Sequence, residues 1–165
     1  LELARRYTAN FKGWQVLHLA GPSHVDSVRE SWIDIDVPCK VLGFHHEMSD
    51  VWGAADLAIT RGGANTIAEI AMNAVPAIVM PYPYHTDDHQ RTNAQPLAHI
   101  GGVVIETDHI HVEQNIENAG SAIMQLLGDH QSRFTMRQVM VTTPITNGSS
   151  IIADTCMACI EVARS

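Results

Sequence analysis

The sequence predicts a doubly wound α/β domain built on a parallel β-sheet, and three observations lead to this prediction. Five short apolar runs alternate with longer amphipathic segments, as they do in chains of parallel βαβ units. The apolar runs are continuous, which is typical of strands that helices cover on both faces. The chain has 165 residues, of which 45% are hydrophobic and 17% are charged, the composition of a globular domain with a substantial core.

The elements follow one another along the chain as strand and helix in turn. Short apolar runs predict five strands: Gln15–Ala20 (QVLHLA), Cys39–Leu42 (CKVL), Asp56–Thr60 (DLAIT), Pro76–Met80 (PAIVM) and Gly102–Ile105 (GVVI). Apolar residues at helical spacing predict helices near Leu1–Phe11, Val25–Trp32, Glu47–Ala55, Asn65–Asn73, Asp88–His99, Val112–Leu127, His130–Val139 and Ser149–Ala163. Only helices follow the last predicted strand, and no internal repeat or low-complexity linker divides the chain.

Charge and hydropathy exclude several classes of protein. The net charge of −8 argues against a nucleic-acid-binding surface as the main function. No apolar run approaches the roughly 18–20 residues of a membrane-spanning helix, and the N-terminus has no signal-peptide pattern. The chain does not begin with Met, so we expect a fragment or a processed piece of a longer protein. A low, odd cysteine count favours a reducing compartment.

Two patterns suggest a metal or redox site, but both have a simpler interpretation. Cys156 and Cys159 form a C-x-x-C within a helical pattern, and no second cysteine pair accompanies them. We interpret them as small residues on the buried face of a helix. The pair His109 and His111 lacks a third ligand at a recognised zinc spacing. The sequence therefore predicts no metal and no cofactor.

Three loops follow predicted strands at the edge where doubly wound sheets bind ligands, beyond the carboxyl ends of the strands. They are Gly43–Glu47, Arg61–Asn65 and Pro81–Asp88. In the second loop, Gly62 and Gly63 permit unusual backbone angles and a close approach of a ligand. Backbone N–H groups at the start of the next helix attract a phosphate. The glycine pair alone is a weak signal, and it is neither a dinucleotide-binding fingerprint nor a P-loop.

Glu69 allows two interpretations. It lies about one turn into the helix, where a carboxylate could accept hydrogen bonds from two ribose hydroxyls. Thr66 and Glu69 also match the capping box T-x-x-E, in which the glutamate only bonds a backbone N–H. The motif alone leaves both interpretations open.

The third loop opens into a dense polar helix start, PYPYHTDDHQRTNA from Pro81 to Ala94. Either aspartate of Asp87–Asp88 could cap the helix. His89, Gln90 and Asn93 then fall near one face, and amide groups suit sugar hydroxyls because they both donate and accept. A catalytic role for His89 lacks support, since no Ser or Cys nucleophile stands in a matching motif.

The stretch from Asp56 to Ala94 closely resembles the C-terminal domain of the MurG-type N-acetylglucosaminyltransferases of peptidoglycan synthesis, which are family 28 glycosyltransferases. The family pattern is R-[SG]-G-A-x-T-x-x-E followed by P-Y-P-Y-x-x-x-x-H-Q-x-x-N-A, and both halves are present here. The resemblance extends from about Trp14 to Leu127. It implies a Rossmann-like fold, the C-terminal half of the two-domain GT-B arrangement, with residues 1–165 forming a single partial domain.

The same resemblance implies a function. UDP-N-acetylglucosamine would be the donor, and the sugar would pass with inversion to a lipid-linked muramoyl-pentapeptide held by an N-terminal domain that this sequence lacks. The complete enzyme would be cytoplasmic, attached peripherally to the cytoplasmic face of the inner membrane, and this chain alone would be inactive. The implied substrate-binding residues are Phe44 and His45 at the uracil, Arg61 at the cleft edge, Gly62, Gly63, Ala64 and Thr66 near the diphosphate, Glu69 at the ribose, and His89, Gln90 and the supporting Asn93 at the sugar.

The sequence departs from the family pattern in three places. Gly62 stands where the family commonly has Ser, so a hydroxyl contact with the donor is expected to be lost. Gln95, Pro96 and Leu97 replace a common Arg-x-Leu. The chain begins within the helix that follows the first strand and the glycine-rich phosphate loop of the family domain. We therefore expect the central strand of the sheet to be missing.

Two other functions remain compatible with the sequence. One is a related UDP-sugar transferase or a sugar-nucleotide epimerase of the same architecture, which the polar loop Tyr84–Asn93 would distinguish by its sugar contacts. The other is a non-catalytic module that binds a nucleotide or a protein partner. Affinity for uridine nucleotides would separate the enzymes from a module that binds protein.

Overall fold

The computed structural model describes residues 1–84, 87–143 and 156–157. Strands in this part of the chain are β1 (Val16–Leu19), β2 (Cys39–Leu42), β3 (Ala58–Thr60), β4 (Ala77–Val79) and β5 (Val103–Ile105). Its longer helices are α1 (Glu2–Arg6), α2 (Val25–Ser31), α3 (Met48–Ala54), α4 (Ala64–Asn73), α5 (His89–His99), α6 (Val112–Glu117), α7 (Ala119–Gly128) and α8 (His130–Thr142). A 3₁₀ helix spans Thr8–Phe11. The predicted alternation of strand and helix is confirmed.

All strand pairs are parallel, but they form two separate groups. β1 pairs with β2, with Val16 opposite Cys39. β4 lies between β3 and β5, and Ala77 lies opposite both Ala58 and Val103. The described strands contain no ladder between β1 and β3. The central strand that the sequence leads us to expect as missing would lie between β1 and β3.

The central strand β4 is more buried than β1 and β3, which have one strand neighbour each in the described part of the chain. Every residue of β4 is buried, as predicted for a strand covered on both faces. Leu17 and Leu19 of β1 and Ile59 of β3 are exposed, so the prediction of burial on both faces is wrong for these two strands. Each of them has a single strand neighbour among the described residues, and apolar side chains near an unpaired edge remain open to solvent.

The core lies on both faces of β4, because successive side chains of a strand point to opposite sides of the sheet. Val79 packs in a cluster with Ile70 of α4 and Leu97 of α5. Ile78 packs on the other side with Leu126 of α7 and Met136 of α8. Helices therefore cover both faces of this sheet, which confirms the doubly wound α/β fold. A third cluster joins Trp32, Val41 and neighbouring residues around β1 and β2.

Two predicted helices are each interrupted. The predicted helix Leu1–Phe11 breaks at Tyr7, whose ψ angle of 39° lies outside the helical range. The predicted helix Val112–Leu127 breaks at Asn118, whose side-chain amide donates to the Gln114 carbonyl at 2.7 Å. Asparagine side chains compete for backbone groups in this way and weaken a helix interior. The other described elements lie where predicted, with ends shifted by a few residues.

The last predicted helix, Ser149–Ala163, lies almost entirely outside the described residues. Cys156 is described as helical and exposed, so the prediction that this cysteine lies on a buried face is wrong. Cys159 lies outside the described residues. No helix in the described ranges is both long enough and apolar enough to cross a bilayer.

Candidate functional site

The candidate site residues follow the carboxyl ends of three strands. Phe44 and His45 come after β2, residues 61–66 come after β3, and residues 89–93 form the start of α5 after β4. The loops after β3 and β4 belong to the same sheet and contact each other directly. Phe44 and His45 follow the other sheet and lie just before α3. Phe44 is 65% exposed, and its ring contacts the His46 ring edge-on, with 4.9 Å between the ring centroids.

Gly62 occupies a position that only glycine fits. Its φ angle is +86°, in the region that residues with a side chain rarely adopt. A Cβ atom at Gly62 would also lie 2.7 Å from Cγ1 of Val79 and 2.9 Å from the carbonyl oxygen of Gln90. The turn after β3 is therefore packed against the start of α5. The serine that the sequence comparison expects at this position in the family would clash here.

Gly63 is the N-cap residue of α4, and no side chain forms a capping hydrogen bond there. The helix runs on to Asn73 and ends at Ala74. Its first backbone N–H groups point away from the helix without a side-chain acceptor, and the positive end of the helix dipole lies at the same place. Ala64 and Thr66 belong to this first turn. The arrangement is suited to hold an anionic group such as a phosphate.

Glu69 does not take part in a capping box. Since Gly63 is the N-cap, Thr66 stands in the first turn rather than at the cap, and the interpretation of Thr66 and Glu69 as a T-x-x-E box is wrong. Oε2 of Glu69 instead accepts a hydrogen bond from the indole Nε1 of Trp52 at 2.8 Å. Trp52 belongs to α3 and is buried. The carboxylate therefore faces α3 from the second turn of α4.

The side chains of Asn93 and Gln90 have roles in the loops that the sequence did not predict. Nδ2 of Asn93 donates to the Gly62 carbonyl at 3.2 Å, and Oε1 of Gln90 accepts from the backbone N–H of Tyr82 at 2.7 Å. Asn93 therefore supports the glycine turn. Gln90 holds the proline-rich loop with its oxygen, and its contact with a sugar stays a prediction.

His89 begins α5 beside an acidic partner. Nδ1 of His89 lies 2.7 Å from Oδ1 of Asp87, and this hydrogen bond lowers the pKa of the Asp87 carboxyl. Asp88 occupies the N-cap position with a φ angle of 46° and makes no side-chain cap. The prediction of a capping aspartate is therefore wrong for Asp88. Oδ1 of Asp87 also accepts a long bond of 3.5 Å from the backbone N–H of His89.

A fourth loop, after β5, contributes a network that the sequence did not predict. The Arg61 guanidinium pairs with the carboxylate of Asp108 and donates to the Met80 carbonyl at 3.3 Å. Asp108 also accepts from the Ile110 N–H at 2.8 Å and from Asn115 at 2.7 Å. The rule that ligands bind beyond the carboxyl ends of strands would have included this loop, because Asp108 follows β5 by three positions.

The protonation state of Asp108 follows from the same contacts. Burial by itself raises the pKa of Asp108, but the hydrogen bonds from Arg61, Asn115 and the Ile110 N–H outweigh it and leave the pKa below its ordinary value. Asp108 therefore remains ionised and holds Arg61 at the edge of the sheet.

Within residues 1–84, 87–143 and 156–157, no group of three or more His, Cys, Asp or Glu side chains is arranged to hold a metal ion.

Comparisons with known proteins identify relatives of this chain. The glycosyltransferase family 28 C-terminal domain matches residues 3–141. A protein of Sulfurovum sp. (strain NBC37-1), named UDP-N-acetylglucosamine--N-acetylmuramyl-(pentapeptide) pyrophosphoryl-undecaprenol N-acetylglucosamine transferase, is 34% identical over 143 residues, which are 87% of this chain and 40% of that protein. A protein of the same name from Bordetella petrii is 43% identical over 84 residues, which are 51% of this chain and 24% of that protein.

A solved structure supports the same relationship. The crystal structure of Acinetobacter baumannii MurG superposes with a TM-score of 0.64 at 25% identity, and the match covers 83% of this chain and 42% of that chain. This chain thus spans less than half the length of the relatives described here. Because the family match covers most of its residues, the chain belongs to the glycosyltransferase family 28 C-terminal domain family.

Proposed function

We propose that this chain is the donor-binding part of an inverting N-acetylglucosaminyltransferase. It binds UDP-N-acetylglucosamine, and the complete enzyme transfers the sugar to a lipid-linked peptidoglycan precursor. The observation that carries the proposal is the Gly62-Gly63 turn, which opens an uncapped helix α4 with the Glu69 carboxylate on its second turn. The names of the relatives supply the sugar and the acceptor.

The diphosphate binds at the start of α4. The positive φ angle of Gly62 directs the chain into the helix, and Gly63 has no side chain to compete for the first N–H groups. Ala64 and Thr66 line this first turn. In the transfer step the negative charge on the diphosphate grows as the sugar leaves, and the fixed N–H groups and the helix dipole stabilise that charge.

The nucleoside binds beside Glu69 of α4 and the loop that leads into α3. Glu69 accepts hydrogen bonds from the ribose hydroxyls, since a carboxylate is an acceptor only and a ribose offers two donors. Phe44 and His45 border the uracil in the loop that leads into α3. Arg61 stands at the edge of the cleft, where Asp108 fixes its guanidinium.

The sugar binds at the start of α5. His89 and Gln90 contact its hydroxyls, and Asn93 supports this part of the site through the Gly62 carbonyl. Because Oε1 of Gln90 accepts from Tyr82, its amide nitrogen is the atom that donates to the sugar. We propose no metal or cofactor for this step. The whole of residues 1–165 forms part of one donor domain, and the acceptor binds to the other domain of the complete enzyme at the cytoplasmic face of the membrane.

The proposal is tested with the complete enzyme that contains this chain. Purified enzyme is given UDP-N-acetylglucosamine and a lipid-linked muramoyl-pentapeptide, and the disaccharide product is measured together with its anomeric configuration. We expect transfer with inversion, and binding of UDP without the acceptor. Epimerisation of the donor without transfer would favour the related epimerase, and the absence of any uridine-nucleotide binding would favour a non-catalytic module.

A further inference from the structure

We infer that Trp52 is a positioning residue for the donor ribose, because its indole N–H holds the Glu69 carboxylate in the orientation that receives the ribose hydroxyls. The inference rests on the proposed function. It adds a residue of α3 to a site that otherwise consists of loops and of the first turns of α4 and α5.

The contact between the two residues joins neighbouring helices. Nε1 of Trp52 donates to Oε2 of Glu69 over 2.8 Å, within the range of strong charge-assisted hydrogen bonds. Trp52 is only 8% exposed and belongs to the same core cluster as Ile67, Ile70 and Ala71 of α4. A ring packed in this way is fixed in place, so the direction of its N–H is fixed as well.

The contact settles the conformation of a side chain that is otherwise mobile. A glutamate on a helix surface rotates about several bonds, and a ligand that needs one orientation must order it. Here Oε2 is fixed by the indole. Oε1 accepts no hydrogen bond from the described part of the chain, and Glu69 is partly exposed. Oε2 is therefore held, which leaves Oε1 of this partly exposed side chain as the oxygen that receives a ribose hydroxyl.

The identity of the acceptor indicates a functional role. A buried indole N–H needs an acceptor, and a backbone carbonyl would satisfy it without cost in charge. This one uses the carboxylate of the proposed ribose-binding residue. Moreover, α3 begins directly after the loop of Phe44 and His45, which borders the base in the proposed function. The Trp52 contact thus connects the element that receives the base with the residue that receives the ribose.

The experiment compares two nucleotides that differ by one ribose hydroxyl. The dissociation constants of UDP and 2′-deoxy-UDP are measured by calorimetry on the complete enzyme, and their ratio reports the contact with the ribose. Trp52→Phe removes the N–H and keeps an aromatic ring. Trp32→Phe is a matched control, because Trp32 is 9% exposed and its indole N–H donates to His18 at 3.1 Å in another core cluster.

We expect the unmodified enzyme to prefer UDP, and Trp52→Phe to reduce this preference by about threefold to tenfold. The affinity for 2′-deoxy-UDP should change less than that for UDP. Trp32→Phe should leave the ratio unchanged even where it lowers the melting temperature. If Trp52→Phe does not fold, Trp52 is replaced by 3-benzothienylalanine, in which sulfur takes the place of the N–H with little change of shape.

Two results would overturn the inference, and they are distinguishable from failure of the proposed function. Enzyme that binds UDP with a normal preference over 2′-deoxy-UDP in the Trp52 variant would reduce Trp52 to a core residue. Enzyme that binds both nucleotides equally before any substitution would remove Glu69 from the ribose. Failure of the unmodified enzyme to bind UDP at all would refute the proposed function itself.

Discussion

The guanidinium of Arg61, at the end of β3, pairs with the carboxylate of Asp108 in the loop after β5. Asp108 is 5% exposed and is the sole buried charged side chain in the part of the chain that the structure describes. Arg61 also donates to the Met80 carbonyl at the end of β4, and its guanidinium lies 5.7 Å from the centre of the Tyr82 ring. One ion pair thus joins the loops after three neighbouring strands at the edge where the donor is proposed to bind.

The first prediction concerns the stability that this ion pair provides. Asp108→Asn should lower the free energy of unfolding of the complete enzyme by about 1–3 kcal/mol, because it removes a charge-assisted bond and leaves an amide facing the donors that bond the carboxylate. Chemical denaturation measures the change. Glu113→Gln is the control, since it breaks the exposed pair with Arg6, and exposed pairs contribute little.

The same variant gives a pH dependence of known sign. The pKa of Asp108 lies below its ordinary value of 3.8 in the folded protein, so the unfolded chain binds a proton before the folded protein does. The stabilisation is therefore complete above pH 3.8 and is lost as the pH falls through the lower, folded pKa. The difference in stability between the unmodified enzyme and Asp108→Asn should shrink on acidification below about pH 4. A difference that grows there would contradict the assignment.

Much of the fold follows from local sequence, but the interruptions within it do not. Apolar runs and helical spacing predict the strands and helices because burial sets these patterns. The break at Asn118 is a change of backbone angles at one residue (φ −95°, ψ −77°), which periodicity does not report. The separation of β1 from β3 concerns pairing between distant segments. The resemblance to the family, rather than the spacing of residues, led to the expectation of a missing strand.

The candidate site also combines features that the sequence predicts with contacts that it does not predict. The glycine turn and the polar start of α5 are visible in the sequence as unusual residues after strands. The bonds from Trp52 to Glu69 and from Arg61 to Asp108 join residues 17 and 47 positions apart. Such pairs depend on how helices and loops pack, so a single sequence does not reveal them. For Glu69, this packing excluded the role in a capping box and left the carboxylate as a candidate acceptor for a ligand.

The second prediction concerns the two glycines of the turn. Gly62→Ser should lower the free energy of unfolding by about 1–3 kcal/mol, because the φ angle of +86° and the contact with Val79 resist a side chain. Gly63→Ser is the matched control: the φ angle is −59°, and the nearest atom to an added Cβ, Oγ1 of Thr66, is 4.0 Å away.

Gly63→Ser should instead weaken the binding of UDP. Serine is a good N-cap, so stability should be unchanged or slightly higher. Its hydroxyl would occupy an N–H group that the proposal assigns to the diphosphate, and the affinity for UDP should fall about threefold to tenfold. Equal destabilisation by both substitutions would show that the turn is described wrongly. Unchanged UDP affinity in Gly63→Ser would move the diphosphate away from α4.

The third prediction separates two roles of Gln90. Gln90→Glu keeps an oxygen that can accept from the Tyr82 N–H but replaces the amide nitrogen that the proposal assigns to the sugar. It should leave UDP affinity nearly intact and reduce discrimination between UDP-N-acetylglucosamine and its C4 epimer, UDP-N-acetylgalactosamine. The ratio of kcat/KM for the two donors is the measurement. Gln90→Ala should reduce the ratio as well and should also loosen the loop.

A ratio that stays normal in Gln90→Glu but falls in Gln90→Ala would assign Gln90 to the loop alone. A normal ratio in both variants, with normal folding, would place the recognition of the sugar elsewhere in the complete enzyme.

The fourth prediction concerns Glu69, the residue on which the two interpretations of α4 differ. Glu69→Ala should weaken UDP binding by about 1–3 kcal/mol, the range for losing charge-assisted hydrogen bonds. It should also lower the melting temperature, because the Trp52 indole loses its acceptor. Glu69→Gln keeps an acceptor for that indole. It should therefore retain the melting temperature and still weaken the binding of UDP, since its amide nitrogen cannot accept a hydrogen bond from a ribose hydroxyl.

The most direct test of the proposed donor site is calorimetric titration of UDP and ADP into the complete enzyme and into its Glu69→Gln variant. The proposal predicts that UDP binds more tightly than ADP, and that Glu69→Gln weakens UDP by about tenfold or more with the melting temperature unchanged. Equal affinity for UDP and ADP, or undiminished UDP affinity in a folded Glu69→Gln variant, would contradict the assignment of this edge as a uridine-nucleotide donor site.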